Sequence, residues 1–87
     1  MDRIFGFIGA GNMGSALARA AIKKMPAGSI VISNRTVAKA EALADELGAR
    51  AVSNIAVARE AQFIFLGVKP QVLPELFKEI GPVLLER

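Results

Sequence analysis

The 87-residue sequence contains no cysteine, histidine, tryptophan or tyrosine. Without cysteine, the chain has no disulfide, no thiol nucleophile and no thiolate ligand for a metal. Without histidine, it also lacks the commonest general base and metal-binding side chain. The remaining carboxylates and lysines are not spaced for a metal or for a catalytic pair. The sequence therefore predicts no metal site and no catalytic residue within this chain, and it favours a binding domain.

Long apolar runs and clustered charges are also missing. Charged residues or glycines interrupt each apolar stretch well short of the ~20 residues that span a bilayer. Asp2 and Arg3 lead directly into a short apolar run without signal-peptide order, so we expect a cytoplasmic protein with no membrane partner. The net charge is +3, but the lysines and arginines are distributed along the chain without a basic run, which leaves nucleic acid as a distant alternative among partners. With 53% hydrophobic residues, the composition fits a small globular α/β domain with a modest core.

What the chain does contain is a group of glycines where its first apolar segment, residues 4–8, ends. Gly9 permits a tight turn, Gly11 lets the backbone approach a pyrophosphate without a Cβ, and Gly14 lets the following helix pack closely on the strand. The N-terminus of that helix favours an anion, because its N–H groups are unpaired and its end of the helix dipole is positive. The motif predicts a dinucleotide site, with a purely structural glycine turn as the alternative.

Three further segments have the character of strands, and a helical segment precedes each of them. Residues 29–33 and 63–66 carry the continuous apolar runs typical of strands buried on both faces of a parallel sheet, and residues 49–52 form a shorter strand. We place strand 63–66 centrally, beside the first strand. The succession predicts a Rossmann-like, doubly wound α/β domain over residues 1–87, with parallel strands in the spatial order 3-2-1-4.

Capping residues predict where the helices begin and end. Asn12 is the predicted N-cap of the first helix and Thr36 that of the second, which Gly48 ends in the left-handed conformation. Ser53 or Asn54 opens a brief third helix that runs to residue 61. The inward positions of the second helix are Ala40, Leu43, Ala44 and Leu47.

The last helix has Pro74 in its first turn, and we expect Gly81-Pro82 to cut it short. Its predicted apolar face consists of Leu76, Phe77, Ile80 and Leu84. Nothing is predicted on the outer side of the fourth strand, which leaves an exposed edge of the kind that proteins usually cover. We therefore expect the chain to be a truncated part of a longer enzyme, in which more strands and a second domain follow.

The end of the second strand predicts the cofactor. In NAD-preferring folds an acidic residue there accepts hydrogen bonds from the adenosine ribose. This chain has no Asp or Glu between residues 15 and 40 and instead has Ser33-Asn34-Arg35-Thr36. Hydroxyl, amide and guanidinium groups can bind a 2′-phosphate, so the pattern favours NADP(H), with NAD(H) as the alternative. In a purely structural interpretation, Asn34 and Thr36 make the turn and the cap while Arg35 is solvated, and both roles can coexist.

Two other positions lie where open α/β sheets bind their ligands, beyond the carboxyl ends of strands. Lys69 and Pro70 follow the fourth strand, and a stiff loop there is suited to the nicotinamide end, with Lys69 near phosphate or ribose. The alternative is a solvated lysine before a helix-starting proline. Asn54 follows the third strand and is either a ligand contact or only an N-cap.

Three segments together, residues 7–14, 33–35 and 65–71, resemble the N-terminal domain of pyrroline-5-carboxylate reductases over nearly the whole chain. The Val-Lys-Pro string at 68–70 is the most characteristic part. The resemblance implies an oxidoreductase of proline biosynthesis that reduces the C=N bond of 1-pyrroline-5-carboxylate to L-proline with hydride from NADPH or NADH. The cofactor contacts that it implies are Gly9, Ala10, Gly11, Asn12, Met13, Gly14, Ser33, Asn34, Arg35, Asn54, Val68, Lys69 and Pro70.

The resemblance also implies a homo-oligomeric full enzyme whose second, helical domain builds the substrate pocket and the dimer. Because that domain is outside these 87 residues, no catalytic residue is assigned, and we expect weak or no turnover from this chain alone. Gln62 departs from the Asp found in many members, at a strand entrance away from the ligand. The alternatives are a related NADP-dependent dehydrogenase of the β-hydroxyacid type and a non-catalytic NADP-sensing module.

Overall fold

A computed structural model describes residues 3–86 as a four-stranded parallel sheet with helices on both faces. The strands lie in the order β3-β2-β1-β4, which confirms the predicted fold class and strand order. Asp2 and the terminal Arg87 lie outside the described residues, so the structure does not bear on the expectation drawn from Asp2 about a signal peptide. The strands are β1 (Phe5–Ile8), β2 (Ile30–Ser33), β3 (Arg50–Ala51) and β4 (Phe63–Leu66).

The register of the three long strands places their carboxyl ends level with one another. Ile8 of β1 is paired with Ser33 of β2 on one side and with Leu66 of β4 on the other. Two backbone bonds extend this pairing into the loops, since Gly9 N donates to the Ser33 carbonyl and Gly67 N donates to the Ile8 carbonyl, each at 2.8 Å. The loops after all three strands therefore start at the same edge of the sheet.

The helices cover the two faces in pairs and bury two separate apolar clusters. Phe7 and Ile32 point to the face covered by α1 and α2, where Ala18 and Leu43 are buried. Ile8 and Val31 point to the other face, where α3 and α4 pack. The predicted inward positions of α2 are confirmed, with Leu47 partly buried. The helices are α1 (Asn12–Ala21), α2 (Val37–Leu47), α3 (Asn54–Glu60) and α4 (Leu73–Leu85), and short 3₁₀ turns cover Ala27–Ser29 and Pro70–Val72.

The predicted caps are partly right. Gly48 ends α2 with a φ of +74° and Ser53 caps α3, its hydroxyl accepting from Ala56 N at 3.1 Å. Thr36 occupies the N-cap position of α2, but its side chain makes no capping bond. The prediction for Asn12 is wrong, because the N-cap of α1 is Gly11 and Asn12 is already helical.

The prediction that Gly81-Pro82 ends the last helix is wrong. α4 continues through Pro82 to Leu85, although the proline has no N–H to donate to the preceding turn. Continuation is favoured because Val83, one residue further, is buried against the core. The apolar face is also shifted: Leu76, Ile80 and Val83 form the buried stripe. The predicted core residues Phe77 and Leu84 lie beside that stripe and are 49% and 37% exposed.

β4 lies beside β1 as predicted, but at an edge of the described sheet and not in its centre. Phe63 and Phe65 stack on Phe5 and Phe7 of β1, with ring centroids 5.4 and 4.9 Å apart, yet both remain more than a third exposed. Among residues 3–86 no strand pairs with the outer edge of β4. No helix in the described part of the chain is long and apolar enough to cross a membrane.

Candidate functional site

The candidate site is a cavity of about 530 Å³ at the carboxyl edge of the sheet. This volume is within the range of small-molecule and cofactor sites. Most of its lining comes from three segments: the turn between β1 and α1, the turn after β2, and the loop after β4. The starts of α3 and α4 complete it. Ten of the thirteen predicted contacts line the cavity, namely Gly9, Gly11, Asn12, Met13, Asn34, Arg35, Asn54, Val68, Lys69 and Pro70. The other three, Ala10, Gly14 and Ser33, lie around or beneath it.

The glycine turn is shaped by close backbone approaches. Gly9 has a φ of +106°, and a Cβ there would collide with the carbonyl group of Gly67. A Cβ on Gly67 would in turn lie 2.7 Å from the Gly14 Cα. Gly9, Gly14 and Gly67 are thus packed against one another, which brings the start of α1 onto the ends of β1 and β4. No role was predicted for Gly67, although its position directly after a strand was a signal.

Gly11 differs from the other glycines of the turn: apart from its two chain neighbours, no described residue has an atom within 4 Å of the place where its Cβ would be. That space belongs to the cavity, which Gly11 and Asn12 both line. The first bond of α1 runs from Ser15 N to the Gly11 carbonyl at 2.8 Å, so the N–H groups just before Ser15 have no partner within the helix. A helix start with open space above it suits a phosphate.

Asn34 ties the glycine turn to the turn after β2. Its Oδ1 accepts from Ala10 N at 2.8 Å, and its Nδ2 donates to the Thr36 carbonyl at 3.0 Å. The Ala10 N–H is therefore engaged inside the protein. Asn34 has the structural role that the alternative interpretation gave it, and it also lines the cavity.

Arg35 and Lys69 give the cavity its charge. Both side chains are exposed and line the cavity, and the lining contains no carboxylate. Neither side chain forms an ion pair or a hydrogen bond with any residue in the range 3–86. Two cations without a protein counter-charge raise the local potential and favour an anionic ligand.

Ser33 and Asn54 belong to a polar chain beneath the cavity. Ser33 is 1% exposed, and its hydroxyl donates to Asn54 Oδ1 at 2.6 Å. Asn54 Nδ2 donates to Glu79 Oε1 at 2.9 Å. Ser33 therefore lies below Asn54 and does not reach the cavity wall in this structure. The sequence did not indicate Glu79, because it lies 25 residues from Asn54 and on a different helix.

A smaller cavity of about 410 Å³ adjoins the first and shares Asn34, Arg35 and Asn54 with it. Glu75 and Glu79 of α4 form its far wall. Within residues 3–86 no group of three His, Cys, Asp or Glu side chains is placed to hold a metal ion. The arrangement offers helix N–H groups, two amides and two cations, which is chemistry for binding phosphate and ribose groups and not for bond cleavage.

The sequence matches the family described as "NADP oxidoreductase coenzyme F420-dependent" over residues 4–87. The chain belongs to this family. It is therefore an oxidoreductase-family domain, and the family binds a nicotinamide dinucleotide. The chain is also 36% identical over 78 residues to pyrroline-5-carboxylate reductase 3 of Danio rerio, an alignment that covers 87% of this chain. That alignment confirms the resemblance predicted from the sequence. The chain spans about a quarter of the length of this relative, 27%.

Proposed function

We propose that this chain binds NADP(H) in the 530 Å³ cavity and is the dinucleotide-binding domain of a pyrroline-5-carboxylate reductase. The observation that carries the proposal is the open space over Gly11 at the start of α1, beside two cationic side chains that have no partner among residues 3–86. The identity to the Danio rerio reductase supports the substrate, 1-pyrroline-5-carboxylate, and the product, L-proline. On this proposal the protein acts in proline biosynthesis in the cytoplasm.

The residues present fit a dinucleotide diphosphate. The N–H groups of Asn12 and Met13 at the start of α1 bind the bridging phosphates, because they lack partners within the helix and face the open space over Gly11. Apart from the chain neighbours of Gly11, no described side chain enters that space. When bound, the reduced nicotinamide supplies the hydride. The protein's part is to hold the dinucleotide and to orient it.

Arg35 is the proposed determinant of NADP(H) preference. It lines both cavities and has no counter-charge among the described residues. A guanidinium makes a planar, charge-assisted pair with a phosphate, which a ribose hydroxyl of NAD(H) does not match. NAD(H) is the alternative cofactor, and it binds the same glycine turn.

The loop after β4 closes the other end of the cavity. Val68 packs against the apolar cluster of α3 and α4 while it also lines the cavity. Lys69 is the N-cap of the 3₁₀ turn that begins at Pro70, and Val72 N donates to the Lys69 carbonyl at 2.9 Å. This loop is braced from both sides, and we propose that it holds the nicotinamide half with the Lys69 ammonium near ribose or phosphate oxygens.

Calorimetric titration of the chain with NADPH and NADH tests the binding step. We expect saturable binding of NADPH and weaker binding of NADH. Failure of both cofactors to bind folded protein at millimolar concentration overturns the proposal. Binding without NADPH preference keeps the site but removes the assignment of Arg35.

A hybrid enzyme tests the reaction. Residues 1–87 replace the aligned segment of the Danio rerio reductase. NADPH oxidation is then measured with 1-pyrroline-5-carboxylate and, separately, with a β-oxo acid, the oxidised partner of a β-hydroxyacid. Proline formation by the hybrid supports the reductase assignment. We expect this chain alone to give little or no proline, because the proposed substrate pocket lies in a second, helical domain that also forms a homo-oligomer. A hybrid that binds NADPH without turnover supports a sensing module instead.

A further inference from the structure

A chain of two hydrogen bonds connects α4 to the end of β2. The Ser33 hydroxyl donates to Asn54 Oδ1 at 2.6 Å, and Asn54 Nδ2 donates to Glu79 Oε1 at 2.9 Å. Burial increases along this series of hydrogen bonds, from the exposed Glu79 through the half-buried Asn54 to Ser33, which is 1% exposed. The Ser33 carbonyl also accepts a hydrogen bond from Gly9 N, so this series of hydrogen bonds reaches the glycine turn.

The chemistry of the three groups allows one direction of bonding. An ionised carboxylate only accepts, so the NH₂ group of Asn54 must face Glu79. The amide oxygen must then face Ser33, and the Ser33 hydroxyl must donate. Ser33 alone does not impose this orientation, because a hydroxyl either donates or accepts. Glu79 is therefore the group that fixes which way the Asn54 amide points.

Asn54 occupies the boundary between the two cavities that also share Arg35. Its amide has two N–H groups, and one is engaged with Glu79. No residue in the described part of the chain accepts from the second one. A fixed amide offers that remaining donor in one direction, whereas a freely flipping amide presents an oxygen there part of the time.

We propose that Glu79 is a positioning residue for nucleotide binding: it orients Asn54 so that the free amide N–H donates to a ribose or phosphate oxygen of the bound dinucleotide. This inference rests on the function proposed above. Glu79 acts through Asn54 and does not itself need to touch the ligand. Its own charge opposes an anionic ligand in the adjoining cavity, so a purely electrostatic role predicts that its removal tightens binding, and a positioning role predicts the opposite.

Three variants separate these roles. Glu79→Met removes the acceptor and keeps a side chain of similar length, whereas Glu79→Gln keeps an oxygen acceptor and removes the charge. Glu75→Met is the matched control, because Glu75 is on the same wall, one helical turn away, and its side chain makes no hydrogen bond with a described residue. The Kd of NADPH is measured by calorimetry for each, with thermal melting as a check on folding.

We expect Glu79→Met to weaken NADPH binding by roughly threefold to tenfold, the equivalent of one net hydrogen bond. Glu79→Gln restores most of the affinity, and Glu75→Met leaves it unchanged or slightly tighter. In an Asn54→Ala background, Glu79→Met has no further effect, because the coupling runs through Asn54. In the free protein, ¹⁵N spectra show a displaced Asn54 NH₂ signal for Glu79→Met but not for Glu75→Met.

Other outcomes contradict the positioning role of Glu79. Affinity that is unchanged or improved in Glu79→Met overturns the positioning role, as does equal weakening by Glu79→Met and Glu79→Gln. An undiminished effect of Glu79→Met in the Asn54→Ala background shows that Glu79 does not act through Asn54. If the unmodified chain binds neither NADPH nor NADH, the proposed function fails and this inference fails with it. If the unmodified chain binds NADPH and Glu79→Met binds it equally well, only this inference fails.

Discussion

The carbonyl oxygen of Gly9 occupies the position that a Cβ on Gly14 would need. This contact joins the first strand to the first helix without any side chain between them. Gly11, between the two in sequence, has no described residue other than its chain neighbours within 4 Å of its own Cβ position. The same motif therefore contains glycines required by packing and one that leaves room for a ligand, and substitutions separate the two roles.

Gly14→Ala is expected to destabilise the fold, because the new methyl group has no free volume and its neighbour is backbone. Overpacking of this kind costs about 1–3 kcal/mol, and urea denaturation followed by circular dichroism measures it. The NADPH affinity of Gly14→Ala should change only to the extent that the new methyl group distorts the glycine turn. Full stability in Gly14→Ala contradicts the close approach seen here.

Gly11→Ala is the counterpart, with the opposite outcome. Gly11 has a φ of −76°, which any residue adopts, and open space around it. Stability should change by less than about 1 kcal/mol, the usual scale for an N-cap substitution. NADPH binding should fall at least about tenfold, because the methyl group enters the space assigned to the diphosphate and displaces it. Unaltered calorimetric affinity places the diphosphate elsewhere.

Arg35→Ala is expected to weaken NADPH binding by about 10- to 100-fold, the loss of a charge-assisted hydrogen bond to phosphate. NADH binding should barely change, since it lacks the 2′-phosphate. Lys39→Ala is a useful control: it removes an exposed cation of α2 that does not line either cavity. An equal loss for both cofactors shows that Arg35 does not discriminate between them.

Pro82→Ala should stabilise the protein by about 1–2 kcal/mol. The proline is exposed and inside α4, where it removes one helical hydrogen bond. Its stiffening of the unfolded chain offsets part of that penalty. The midpoint of urea denaturation measures the gain, with Pro74→Ala as a control at the first turn, where no N–H partner is lost. A lower midpoint for Pro82→Ala indicates that α4 ends before this residue.

The Arg19–Glu46 ion pair joins α1 and α2 on the surface, with the guanidinium Nε 2.6 Å from Glu46 Oε2. The hydrogen bond from Arg19 lowers the pKa of the Glu46 carboxyl below its usual value, and the same bond raises the pKa of Arg19. A lowered folded-state pKa gives stability above the ordinary carboxyl pKa, and that stability is lost as the pH falls through the folded value.

Glu46→Gln should therefore lower the denaturation midpoint slightly at about pH 7 and have no effect at a pH below the folded pKa of this carboxyl. The difference at neutral pH should shrink in high salt, because both partners are about half exposed. A difference that persists in acid points to packing by the Glu46 side chain, with the ion pair contributing little.

Most of the fold could be predicted from local sequence patterns. Continuous apolar runs marked β2 and β4, and Gly48 marked the end of α2, because each reflects the conformation of a few neighbouring residues. Helix boundaries that depend on distant packing were harder. Pro82 remains helical because Val83 packs into the core, a contact that no local signal encodes.

The candidate site shows the same division. Gly11, Arg35 and Lys69 were predicted from their position after strands, and the structure brings them to one cavity. Ser33 was predicted at the ligand, yet it is buried below Asn54. Glu79 went unnoticed because nothing in an exposed helical glutamate indicates a partner on another helix.

The sequence by itself determined the order of strands and helices, the glycine turn and the absence of thiol and imidazole chemistry, because these depend on residue type and on spacing along the chain. Only the tertiary structure decided which polar groups are already engaged within the protein and which are left for a ligand. The amides of Asn34 and Asn54 are held by partners brought together across the sheet, whereas Arg35 and Lys69 meet no described carboxylate. The reason is geometric, since hydrogen bonds form between groups that are close in space, and the fold sets that distance.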